Sequence, residues 1–68
     1  MSYRLLYALA SQYKADIEKA KANIQVYIEN PVGIGEHADL VTAVGEQVEI
    51  IAHAEDKLRV IEKHFSTT

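Results

Sequence analysis

Asn30-Pro31-Val32-Gly33-Ile34-Gly35 is the one strongly punctuated stretch in this 68-residue chain, and its reading decides the fold. It holds the sole proline and two of the three glycines. Pro31 has no N–H with which to continue a helix, and it pushes Asn30 out of the helical region. Gly33 and Gly35 tolerate the positive φ that a tight connection uses. The arms on either side are nearly equal, about 2–29 and 37–65. Equal arms around a short break predict an all-α fold: one domain, 1–68, built as a two-helix antiparallel hairpin.

The first arm carries a heptad. Tyr3, Leu6, Ala10, Tyr13, Ile17, Ala20, Ile24 and Tyr27 follow one another in steps of three and four, which gathers them on one stripe of a helix. Leu9 and Ile28 widen the stripe, while Gln12, Lys14, Glu18, Lys19, Lys21 and Gln25 form a solvated face. Lys14 and Glu18 are spaced for an i,i+4 ion pair, and Ser2 has the chemistry of an N-cap.

In the second arm Val44, Ile51, Leu58 and Phe65 recur every seven residues. Val41 and Val48 flank this line on one side; Leu40, Ala54 and Ile61 flank it on the other. So wide a stripe can face more than one neighbour. Acidic Glu36, Asp39, Glu46 and Glu49 come early and basic Lys57, Arg59, Lys63 and His64 late, as the helix dipole favours. Gly45 interrupts the arm at a cost of about 1 kcal/mol relative to alanine, tolerated or kept for close approach by another helix or a ligand.

Two helices of roughly 40 Å each form a rod with little interior of its own. A chain this small has no cysteine, hence neither disulfides nor thiolate metal sites to staple it. The expected remedy is self-association into a four-helix-bundle dimer or a larger homo-oligomer. The seam for it would run through Tyr3, Leu6, Tyr13, Ile17, Ile24 and Tyr27 on the first arm, and Val44, Val48, Ile51, Leu58 and Phe65 on the second. Tyrosines suit such a half-wet interface, each pairing an apolar ring with a hydroxyl that needs a partner.

Chemistry is sparse. The net charge of −3 argues against nucleic acid as a partner. The opening residues carry no apolar run of the kind a secretory signal has, and no stretch approaches the ~20 apolar residues of a membrane span. Gly33-Ile34-Gly35 before a helix start could cradle a phosphate, but no strand precedes it and Glu36 and Asp39 would repel an anion. Glu46, Glu49, His53 and Asp56 share a helix face, yet Glu49 and His53 are four apart, where di-iron bundles use a spacing of three. His37, His53 and His64 are spread along the rod, and Ser11 has no base at helical spacing. No metal, cofactor or catalytic residue is expected.

Glu29-Asn30-Pro31-Val32-Gly33-Ile34-Gly35-Glu36-His37, followed by Ala38-Asp39-Leu40-Val41, resembles the loop of a group of small tailed-bacteriophage proteins of unassigned activity. Ala54-Glu55-Asp56-Lys57-Leu58 and Glu62-Lys63-His64-Phe65 fit the same likeness. Ala38 stands where that group often has proline. The resemblance implies a phage origin, a helical hairpin, and residence in the host bacterial cytoplasm or the virion. It carries over no activity. The expected function is non-enzymatic: self-association and contact with a phage or host protein, with Asn30, Pro31, Gly33, Gly35, Glu36 and His37 as loop contacts. The alternative is an oligomer that sequesters a small nucleotide-type ligand between protomers, its tyrosines stacking on bases and Arg4 and Lys14 meeting phosphates.

Overall fold

The computed structural model describes residues 3–30 and 39–65, which form two helices packed against each other. Helix α1 runs Arg4–Glu29 and α2 runs Leu40–Phe65, 26 residues each. Among the described residues there is no strand. Asn23 of α1 reaches Gln47 of α2, and Tyr13 lies beside Lys57, so position rises along one helix as it falls along the other. The pair is therefore an antiparallel hairpin. It measures 52 × 15 × 14 Å, with a radius of gyration of 15.5 Å. A compact chain of this length would have a radius of gyration of about 11 Å.

The seam follows the heptad on α1. Leu6, Ala10, Tyr13, Ile17, Ala20, Ile24 and Tyr27 are all buried or half-buried, whereas Tyr3 at the end of the stripe is exposed. On α2 the seam is Leu40, Val44, Gln47, Ile51, Ala54, Leu58 and Ile61. The expected line through Val44, Ile51 and Leu58 is there. Of its two flanks, the one carrying Leu40, Ala54 and Ile61 joins the seam, and Val41 and Val48 face outward. Sustained steps of three and four keep a seam in register only if the helices coil slightly around each other, as in an antiparallel coiled coil.

Among the described residues the buried positions are Ala20 and Ala54. The register set by Asn23–Gln47 and Tyr13–Lys57 brings Ala20 within a residue of level with Ile51, and Ala54 within a residue of level with Ile17. Small faces large at each level, which lets side chains interdigitate. No large side chain among the described residues is fully buried. The chain exposes 5539 Å². A compact protein of its 7.6 kDa would expose about 4,300 Å² by the usual scaling.

The helix ends differ from expectation. Ser2 lies outside the described residues, and the N-cap of α1 is Tyr3, whose side chain makes no capping bond. The N–H of Asn30, its C-cap, donates to the Val26 carbonyl at 2.8 Å. Helix α2 begins at Leu40, and Asp39 caps it. The Asp39 Oδ1 accepts from the Thr42 N–H at 3.0 Å, and Oδ2 accepts from the Thr42 Oγ1 hydroxyl at 2.7 Å. This satisfies one of the free donors of the first turn. The Asp39 carboxyl is held below the usual carboxylate range, first by the Thr42 N–H and then by the Thr42 hydroxyl.

Candidate interaction surface

A seam of two helices leaves two long sides, and they differ. One is bridged. Asn23 Nδ2 donates to Gln47 Oε1 at 3.1 Å across the helices, and the Lys57 Nζ sits 5.3 Å from the Tyr13 ring centroid, within cation–π range. Asp16, Asn23 and Ala43 are half-buried on this side. The polar bridge goes beyond what the sequence predicts. Its signal is that Gln47 occupies a seam position in the frame 40, 44, 47, 51, 54, 58, 61, where an apolar residue is the rule.

The other side is open. On α1 it carries Tyr7, Lys14, Lys21 and Ile28, and on α2 Val41, Val48, Glu55 and Glu62; all eight are exposed. A shallow groove of about 450 Å³ lies at its terminal end, lined by Tyr3, Leu6, Tyr7, Lys14, Glu62 and Phe65 among others. A second, of about 420 Å³, lies at the loop end, lined by Tyr27, Ile28, Leu40, Val41 and Val44. Val41 is 84% exposed and Tyr7 67%. Gly45 is exposed near the same side, and a Cβ added there meets nothing within 4 Å. Nothing within the described residues requires a glycine.

The residues expected to serve self-association divide into two sets. Leu6, Tyr13, Ile17, Ile24, Tyr27, Val44, Ile51 and Leu58 are half-buried along the intramolecular seam. Tyr3, Val48 and Phe65 project from it and are exposed. Of the loop candidates, Asn30 is an exposed helix cap. Pro31, Gly33, Gly35, Glu36 and His37 lie outside the described residues.

Charges on the rod are mostly local. The expected Lys14–Glu18 pair is replaced by Lys21–Glu18 at 3.3 Å, both side chains well exposed. A shorter step of three residues meets Glu18 from the other direction, so Lys14 is left over. Arg59 pairs with Asp56, and Gln25 with Glu29. Glu46, Glu49, His53 and Asp56 are exposed on the outer face of α2. Among the described residues no three His, Cys, Asp or Glu side chains are grouped to hold a metal ion, and no helix is long and apolar enough to cross a membrane.

Comparison with family models, with curated proteins and with solved structures finds no match to this chain.

Proposed function

We propose that this chain is a non-enzymatic helical-hairpin protein that acts through self-association and protein–protein contact, as an accessory of a phage particle or a modulator of a host protein. The observation that carries this reading is a 26-residue helix pair with two alanines as the buried residues among those described. A hairpin with so little interior needs a partner surface to complete a core. Exposed Tyr3, Tyr7, Ile28, Val41, Val48 and Phe65 supply apolar area for that surface. The phage setting rests on the loop resemblance. Light scattering at micromolar concentration tests the core of the proposal: an oligomer is expected, and a monomer with a cooperative melt overturns it.

One observation favours a second reading. The terminal-end groove gathers Tyr3, Tyr7 and Lys14 on one side of the rod. Rings that can stack and a cation that can meet a phosphate are what a nucleotide-type ligand held between protomers requires. Glu62 in the same groove opposes an anion. A thermal-shift series with mono-, di- and cyclic nucleotides discriminates: a rise of several degrees for one of them promotes this reading, and no rise with any removes it.

A further inference from the structure

We propose that the open side seats a second copy of the chain, related to the first by a two-fold axis running along the rod, so that α1 of each protomer packs on α2 of the other. This deepens the self-association reading and rests on it.

The exposed area suits a dimer. The chain exposes 5539 Å², about 1,200 Å² more than a compact protein of its mass. A face 15 Å wide on a rod 52 Å long offers roughly 800 Å² per protomer, which is what a stable dimer interface of ordinary size takes.

The two sides differ in what they have left uncovered. The bridged side has already joined its helices through Asn23–Gln47 and Lys57–Tyr13. All eight flanking residues of the open side remain exposed, whereas on the bridged side Asp16, Asn23 and Ala43 are half-buried beside exposed Leu9 and Ile50.

Charge then sets the direction. On the open side α1 carries Lys14 and Lys21, and α2 carries Glu55 and Glu62. Lys21 is paired with Glu18. Hydrogen bonds and ion pairs among the described residues do not engage Lys14, Glu55 or Glu62. The face is thus basic along one helix and acidic along the other. A two-fold along the rod lays the basic helix of one copy on the acidic helix of the other and keeps levels matched. Lys14 then meets the partner's Glu55, Tyr7 meets the partner's Glu62, and Ile28 meets the partner's Val41. Every helix runs antiparallel to both its neighbours. A two-fold across the rod would instead set α1 on α1 and α2 on α2, with Lys14 near the partner's Lys21. Such like-charge juxtaposition is penalised at an interface.

The lack of native cysteine makes labelling clean. A spin label at Glu29→Cys, on the back of α1 near the loop, is measured by pulsed dipolar spectroscopy in the dimer. The proposed axis gives a label separation of roughly 20–30 Å; the crosswise axis places the two labels roughly 40 Å or more apart, because about twelve residues of helix lie between Glu29 and the midpoint of α1. In parallel, Lys14→Glu should weaken the dimer about tenfold, and Lys14→Glu with Glu55→Lys should restore it. Circular dichroism of each variant checks that the helices are kept. A distance in the long range, or a double variant no tighter than Lys14→Glu, overturns the arrangement while self-association stands. A wild-type monomer at micromolar concentration overturns both.

Discussion

At the scale of single residues, the informative positions are those that break the heptad rule. Gln47 occupies a seam site and is half-buried, and it is tolerated because Asn23 donates to it at 3.1 Å. A polar residue at a seam position sets register at some cost in stability. Asn23→Ala should therefore lower stability by about 1 kcal/mol, because it leaves the Gln47 amide partly covered without that partner. Gln47→Leu should raise the melting temperature while loosening the choice of register. Thermal melts with exchange-broadened NMR spectra would show both effects. Gly45 is the opposite case. A methyl group placed on its Cα meets nothing within 4 Å. Gly45→Ala should therefore stabilise α2 by about 0.5–1 kcal/mol, raising the melting temperature by about 2–8 °C. A fall instead would indicate that another helix approaches this position closely. Spacing puts Gln47 on the seam, but that Asn23 stands opposite to satisfy it depends on the register of the other helix; Gly45 is exposed and away from that seam.

At the scale of elements, α1 is plain in the sequence because eight apolar residues repeat without a break in steps of three and four. The extent of α2 is less plain. Glu36, His37 and Asp39 are all polar residues near the boundary, and spacing does not say which of them caps. The structure selects Asp39, because Thr42 stands three residues on and supplies two donors, one from the backbone and one from the hydroxyl. The stripe on α2 is wide enough for two neighbours, and packing against α1 uses one flank of it. The Asp39 cap yields a pH prediction. Its folded-state pKa is lowered, so the stabilisation is fully present above the unfolded value of about 3.9. It is lost as pH falls through the lower, folded-state value. Asp39→Asn should flatten the acid limb of stability against pH while keeping most of the neutral-pH cap. Asp39→Ala should lower the neutral-pH melting temperature by about 5 °C. A melt series from pH 7 to pH 2 on the three proteins is the measurement.

At the scale of the whole molecule, what is readable and what is not follow from the same cause. Two equal amphipathic arms and a Pro/Gly break point to a hairpin, since that arrangement buries both stripes against each other with a short connection. They do not determine what covers the remaining surface, because a flank of exposed valine, tyrosine and isoleucine is compatible with any apolar partner. The hairpin's own geometry narrows this. Its radius of gyration of 15.5 Å, with no large side chain fully buried among the described residues, describes a rod whose helices gain little from each other alone. Isolated helix pairs with so small an interior are marginal, so folding and association should be one transition. That makes stability depend on concentration. For a dimer of two 68-residue chains, each tenfold increase in protein adds about 1.4 kcal/mol to the folded side, which raises the melting temperature by about 5 °C. Circular dichroism melts from about 1 to 100 μM should shift accordingly, and helicity at 25 °C should fall on dilution into the nanomolar range. A melting temperature independent of concentration would mean that the hairpin is stable alone, and its open side would then be free to receive a different protein.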